Sequence, residues 1–204
     1  MTFASLKGLN VAKTALYLGA PSTLLVKRFD RFPIAESGRR IPMLSGLTLL
    51  DADWRSNDRS AWVYAGLANE MQRRGVPDDD LRELFKRMCF NALVGNDDDH
   101  PKNHAILWLE GRWRLAPMYD VVPGLEGSSP PYLSMAVGRS GRVISRENLL
   151  SHCLHFALTP EQATDVLDEV ISWEAELGAH YASHLTGAEL ELGVSAIGAK
   201  RMKS

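Results

Sequence analysis

The feature that most constrains this chain is the passage from a long apolar helix into a dense polar turn, Gly95-Asn96-Asp97-Asp98-Asp99-His100-Pro101-Lys102-Asn103. Ahead of the turn, Leu81, Leu84, Phe85 and Met88 recur at helical spacing and the pattern runs on to Leu93, so this helix has a face to bury. Asp80 is expected to cap its start, with Glu83 three residues on completing a capping box. Gly95 ends it. After the polar turn, His104 to Leu109 and Trp113 to Ala116 read as two short strands joined by Glu110-Gly111-Arg112, a hairpin. A second polar point, Tyr119-Asp120, follows Pro117.

The remaining elements are read around this unit. The chain starts with a short helix, and Ser22 to Phe29, β-branched and apolar before turning charged, reads as a strand. Arg31 to Arg40, with Pro33 and Gly38, is expected to form a loop. Arg59 to Arg74 is helical in pattern and stops at Gly75-Val76-Pro77. Gly124 to Pro131, rich in Gly, Ser and Pro, is a second expected loop. From Ser145 the chain turns helical again. Thr159 fits an N-cap with Pro160 at the first helical position, helical periodicity runs from Asp165 to Leu177, and one more helix is expected from about Thr186. The order predicts a mostly helical α+β fold in which residues 1–204 form a single domain.

Composition narrows the class. The 204 residues are 45% hydrophobic and 24% charged, ordinary for a globular domain with a sizeable core. A formal net charge of -2 gives no whole-protein basic field for gripping nucleic acid, so no direct nucleic-acid partner is expected. Cys89 and Cys153 lie far apart without a CxxC pair and read as reduced thiols. No apolar stretch reaches transmembrane length. A cytoplasmic protein with no membrane partner is the expectation.

The residues from Asp98 to Asp120 carry the chemistry. Phosphoryl transfer asks a protein chiefly for positioning and charge neutralisation. A loop Asp orients the attacking hydroxyl, an Asn five residues on holds a metal, and an Asp beyond a short hairpin holds the metals that bridge the phosphates. Asp98, Asn103 and Asp120 stand in that layout, with Lys102 between the first two. Taken singly, each is weak: an Asp-rich turn after a helix is usually a solvated cap. Zinc is disfavoured because Pro101 separates His100 from His104 and no HExxH pattern occurs. The EF-hand register of Gly at six and Glu at twelve is also absent. The joint spacing raises the phosphotransferase reading above these alternatives.

Two segments then carry a resemblance. Gly95 to His104, followed by Trp113-Arg114-Leu115-Ala116-Pro117-Met118-Tyr119-Asp120-Val121-Val122-Pro123, resembles the signature of the HipA-like serine/threonine kinases, G-N-T-D-D-H-x-x-N-H and then W-x-L-[SA]-P-x-[YF]-D-x-x-P. Leu25 to Arg31 is similar to that family's entry to the nucleotide pocket, and Arg40-Ile41-Pro42 and Leu47 to Leu50 recur in a subset of it. The likeness covers roughly residues 6 to 180. It implies the C-terminal lobe of such a kinase, with residues 1–33 leading to the hinge between lobes and 34–204 forming the helical lobe. It implies ATP and Mg2+ as cofactors, Asp98 as catalytic base, Lys102 near the transferred phosphate, and Asn103 and Asp120 as magnesium ligands. Lys27, Arg28 and Phe29 would meet the adenine, and His100 would hold the loop on the nucleotide side in shape. The implied reaction is phosphorylation of a protein Ser or Thr by the toxin of a toxin-antitoxin pair. Its implied partners are a helix-turn-helix antitoxin and a protein substrate such as an aminoacyl-tRNA synthetase. Asp97 departs from the pattern, placing a negative charge where the family has Thr.

The phosphate-clamping half of such a site is not found. No GxGxxG or GxxxxGK[ST] lies upstream of Phe29, and Lys7, Lys13 and Lys27 sit in no context resembling a phosphate lysine. The expectations are a relic, a split kinase whose N-terminal lobe is a separate polypeptide, or a pseudokinase kept as a partner-binding module. A kinase of small hydroxyl compounds shares the Asp/Asn/Asp logic but fits the loop wording less well. A split kinase predicts exposed apolar surface where the other lobe docks.

Overall fold

A computed structural model describes residues 1–32, 38–124 and 128–204. The loops expected at Arg31 to Arg40 and Gly124 to Pro131 lie in part outside these residues. The fold is α+β with more helix than strand, as the periodicity predicted.

Helix α4, Asp78–Val94, is the central element. Its residues are buried nearly all round from Leu81 onward, so it lies inside the molecule rather than on it. Helices α3 (Tyr64–Arg73), α6 (Pro160–Ser172) and α9 (Ala199–Met202) pack against it, with α5 (Arg146–Leu150) set on α6 and α9, and so does the hairpin. That hairpin, β4 (Ala105–Leu109) and β5 (Arg112–Leu115), pairs Leu109 with Arg112. Glu110 and Gly111 between them both have positive φ, 50° and 78°, which is the two-residue type I′ geometry that matches strand twist.

Asp80 does not cap α4. The helix begins two residues earlier, after Pro77, and Asp80 turns its carboxylate across to the hairpin. It takes Nε and Nη2 of Arg114 at 2.8 Å each and the Leu115 amide at 2.8 Å. A bidentate guanidinium is a stronger partner than a cap amide, and it fixes β5 on the helix. Arg87, 2% exposed, does similar work a turn further on. It donates to the Ala116 and Asn10 carbonyls and to Glu83.

Three further expectations are corrected. The helix read from Arg59 starts at Tyr64, because Val63 is extended and bridges Ala136, whose amide and carbonyl bond to Trp62 and Tyr64. The helix read through Leu177 breaks at Trp173, where the indole is buried against Phe90, and resumes as α7 (Glu174–His184). The single C-terminal helix is two, α8 (Gly187–Ser195) and α9. Gly198 parts them: its amide bonds to the Leu93 carbonyl at 2.8 Å, an approach to α4 that a Cβ would obstruct. The N-cap at Thr159 forms as read, with Gln162 completing a capping box.

Two strands escaped the sequence reading. β3 (Met43–Ser45) adds to β4 antiparallel, making the hairpin a three-stranded sheet, and runs into α2 (Gly46–Leu49). β1 (Thr14–Tyr17) follows the short α1 (Thr2–Leu6) and pairs with β2 (Thr23–Val26), within the strand that was read. This two-stranded ribbon is anchored at its base, where Ala12 and Asn10 bond the backbone of Met118. Beyond that base Leu16, Leu24 and Leu25 are 63%, 60% and 55% exposed. Successive residues face opposite sides of a strand, so both faces of the ribbon are apolar and open. Among the described residues no helix is long and apolar enough to cross a membrane.

Candidate active site

The polar turn is built from its back outward. Gly95 ends α4 in the left-handed conformation at φ 71°, where Cβ-bearing residues are strained. The three aspartates that follow then meet three different environments. Asp97 packs beside Gly124, and its carbonyl accepts from Ser134 Oγ at 2.8 Å. Asp98 is exposed at the turn. Asp99 is 2% exposed and faces inward.

Asp99 is the anchor. It accepts a short hydrogen bond from the Tyr64 hydroxyl and contacts His104 Nε2 at 3.0 Å. Asn91 Nδ2 donates to the Tyr64 oxygen at 3.2 Å, and Asn96 Nδ2 donates to Asn91 Oδ1 at 3.2 Å. Every member is buried, and a buried polar network of this kind is stable only when its groups satisfy one another. It draws on α3, α4 and both ends of the turn, so the exposed carboxylate of Asp98 projects from a rigid base.

Behind Asp98, the short 3-10 turn Pro101–Asn103 is backed by α2. A Cβ on Gly46 would stand 2.5 Å from the Pro101 carbonyl, so only glycine allows this approach. Asn103 Nδ2 points to the Asp98 carbonyl at 3.5 Å, a long contact that leaves Oδ1 for another partner. Lys102 is exposed, and its ammonium sits 3.1 Å from the centroid of the Trp54 ring. At a partly exposed site this cation–π contact contributes about 0.5–1 kcal/mol.

Tyr119 joins the turn to the second acid. Its hydroxyl donates to the Lys102 carbonyl at 2.6 Å, and its ring lies 5.3 Å from that of Phe29. Burial, with the charges of Asp120 and Asp99, pushes its phenol up to about 12. Asp120 follows, exposed, at φ 58°. A non-glycine residue in that region is held there by its surroundings, and such strain gathers at functional sites.

Asp120 stands at a cavity of about 310 Å³ walled by Leu24, Val26, Phe29, Tyr119 and Val122. A neighbouring hollow of about 270 Å³ shares Val26, Phe29 and Tyr119 and adds Lys27, Arg28 and Met43. Apolar walls with a carboxylate at the mouth are the usual make-up of a small-molecule site. Phe29 therefore serves both hollows, whereas Lys27 and Arg28 line only the second, and Arg28 is held by Asp30 through two bonds of 2.7 and 2.5 Å.

His100 lines neither hollow. Its ring lies 4.8 Å from Trp54 and 6.4 Å from Trp62. His104 is committed to Asp99, so the two histidines do not converge. Among the described residues no three His, Cys, Asp or Glu side chains gather around one point. Asn103 Oδ1 and the exposed Asp120 carboxylate are hard oxygen donors. That suits magnesium, which takes one or two protein ligands and completes its shell with water and phosphate.

Sequence reasoning missed Trp54, Tyr64 and Asp99 as parts of the site. Tyr64 and Trp54 lie some 35 to 45 residues upstream, beyond any local pattern. Asp99 was visible, but adjacent aspartates look alike until their partners are known.

Residues 1–176 match the HipA-like C-terminal domain. The chain belongs to that family. A relative of this HipA-like domain is Y4dM of Sinorhizobium fredii (strain NBRC 101917 / NGR234), a protein provisionally named a kinase. It is 27% identical over 198 residues, covering 86% of this chain and 47% of its own length. A second protein of that strain, Y4mE, named in the same way, is 33% identical over 64 residues, 31% of this chain and 15% of its own. Among solved structures, HipA of Shewanella oneidensis MR-1, from a toxin-antitoxin complex of HipA, HipB and operator DNA, aligns over 99% of this chain and 54% of its own. The TM-score is 0.75 at 18% identity. The Helicobacter pylori proinflammatory kinase CtkA aligns over 97% of this chain and 82% of its own, with a TM-score of 0.58 at 13% identity. These two likenesses establish the fold. The HipA-like domain thus spans about half the length of Y4dM and of the Shewanella HipA chain.

Proposed function

We propose that this HipA-like domain is the catalytic and metal-holding half of a phosphotransferase that uses ATP and Mg2+ to phosphorylate Ser or Thr on a protein. The observation that carries the reading is the 2.6 Å bond from the Tyr119 hydroxyl to the Lys102 carbonyl. It ties the turn bearing Asp98, Lys102 and Asn103 to the segment that sets Asp120 at the mouth of an apolar cavity.

In this reading the adenine enters between Leu24, Val26 and the paired rings of Phe29 and Tyr119, with the Lys27 to Phe29 backbone at its edge. The phosphates then extend toward Asp120 and the polar turn. Asp98, exposed on its buried scaffold, accepts the proton of the attacking hydroxyl. Lys102 opposes the charge of the transferred group. Asn103 and Asp120 hold magnesium, which when bound neutralises phosphate charge.

These 204 residues contain no glycine-rich phosphate loop. The reading therefore includes a second lobe, on the same polypeptide or another, that closes over the phosphates. The open apolar ribbon of β1 and β2 supports a surface of that kind. The fold shared with a HipA crystallised with HipB and operator DNA supports a helix-turn-helix antitoxin as partner. A translation-related substrate such as an aminoacyl-tRNA synthetase rests on the family resemblance.

The test is calorimetric titration of the protein with ATP and magnesium, beside Asp120→Ala. Magnesium-dependent binding is expected, weakened about tenfold or more in the variant. Equal binding by both proteins would remove Asp120 from the site. The exposed ribbon also favours a second reading, a non-catalytic partner-binding module, and absence of binding at millimolar ATP would put that reading first.

A further inference from the structure

The polar turn is contacted from one more direction, and the proposed reaction leaves that contact unused. Between α2 and α3 the chain runs through Asp51 to Ala61 without regular structure, yet it delivers one large side chain to the turn. Trp54, 37% exposed, stacks on the buried Trp62 with ring centroids 5.3 Å apart and meets the edge of His100 at 4.8 Å. Its face carries the Lys102 ammonium at 3.1 Å. The Arg59 guanidinium lies over the same pair, 3.7 Å from the Trp62 centroid and 5.5 Å from that of Trp54.

Apolar packing alone is a poor account of this cluster. Trp62 Nε1 and His100 Nδ1 are both buried without a hydrogen-bond partner among the described residues, and buried polar atoms left unpaired cost stability. A lysine also gives up more side-chain freedom than most residues when it is held in one place. The arrangement is better explained by what it does for the ammonium. An NH3+ group has three donors. A ring face engages the charge without competing for those donors as a carboxylate would, so a lysine seated on indole can still pair with a phosphate.

We propose that Trp54 is a positioning residue that seats the Lys102 ammonium beside the catalytic turn for contact with the terminal phosphate of the nucleotide. Its role in phosphate contact rests on the nucleotide reading given above; the seat itself rests on geometry. Trp54 touches no reacting atom and acts only through Lys102. Phenylalanine offers a smaller ring face and retains part of the function, whereas leucine offers none.

Two measurements test this on the intact chain. The first needs no nucleotide: limited acylation with an amine-reactive ester, read by mass spectrometry at Lys102 against the other lysines of the same sample. Lys102 in Trp54→Leu is expected to react several-fold faster than in the unaltered protein, with Trp54→Phe between the two. The second compares titrations with Mg-ATP and Mg-ADP. Trp54→Leu is expected to weaken ATP roughly two- to five-fold, the scale of one cation–π contact, and to leave ADP unchanged. In a Lys102→Met background, Trp54→Leu is expected to leave ATP binding unchanged. A general loss of structure would instead weaken both nucleotides and raise the reactivity of every buried lysine stem.

Equal Lys102 reactivity in the unaltered protein and Trp54→Leu, with normal ATP binding, would overturn this proposal alone. A Lys102 that responds to Trp54 while ATP and ADP weaken together would overturn the phosphate role. Failure of the unaltered protein to bind any nucleotide would overturn the nucleotide reading and the phosphate role with it.

Discussion

At the scale of single residues, the site depends on side chains that hold others in place. Tyr119 is the clearest case, because it serves the turn through its hydroxyl and the cavity through its ring. Its phenol is pushed up to about 12, so folding favours the neutral form. An unfolded tyrosine loses its proton near pH 10. The stability linked to this group is therefore fully present below about pH 10 and is lost as pH rises toward 12. Tyr119→Phe is expected to remove one late-titrating phenol in ultraviolet difference spectra, leaving Tyr181, also pushed up to about 12 by burial. It should also cost about 1 kcal/mol in urea unfolding, the usual worth of one hydrogen bond. An unchanged titration above pH 10 would mean that Tyr119 is not enclosed as described. Asp97, Asp98 and Asp99 make the same point: one carboxylate packs beside Gly124, one meets solvent and one meets Tyr64 and His104.

At the scale of elements, what matters is which elements press on the turn from behind. Helix α4 ends at it, α3 contributes Tyr64, and α2 approaches so closely that Gly46 has no room for a methyl group. The obstacle is the backbone carbonyl of Pro101, which cannot swing aside as a side-chain tip would. Gly46→Ala is expected to push α2 away from the Pro101–Asn103 turn and to cost about 1–3 kcal/mol, the range for overpacking. Urea unfolding measures the cost, and Mg-nucleotide titration should show weakened binding, because Asn103 lies in the displaced turn. Full stability and full binding would mean that the two elements have slack between them. The Arg114–Asp80 pair and the Arg87 bonds belong to the same scale, since they lock the hairpin on α4 and so fix where Asp120 emerges.

At the scale of the whole molecule, the fold is uneven. One large core surrounds α4, while the β1–β2 ribbon stands out from it, bonded strand to strand and anchored at its base. A two-stranded ribbon without a packed face is marginal in water, and few buried contacts hold it to the body. Its amides at Ala15 and Leu25 are expected to exchange with solvent orders of magnitude faster than those of Leu84 to Phe90 in α4. Hydrogen exchange followed by mass spectrometry would measure this. Equal protection would mean that the ribbon is covered, by another copy or by a face not described. Because Leu24 and Val26 wall the cavity, slower ribbon exchange on adding Mg-ATP would locate the nucleotide there.

The amino-acid sequence alone determined the features whose causes are local. Helix α4 was legible because its apolar residues repeat at three and four positions, the hairpin because a short connection containing Gly111 parts two apolar runs, and the Thr159 cap because Pro160 follows it at the first helical position. The spacing of Asp98, Asn103 and Asp120, and the family to which the chain belongs, were legible for the same reason. Tertiary structure decided whatever depends on distant partners. Asp80 reads as a cap until Arg114, 34 residues on, takes its carboxylate. Strands β1 and β3, of four and three residues, exist only through the strands they pair with. Trp54 belongs to no local pattern, and only the fold brings Lys102 onto its ring. Neighbours along a helix or turn are set by covalent spacing, whereas the burial that gives an aspartate or a tryptophan its role is set only when the rest of the chain closes around it.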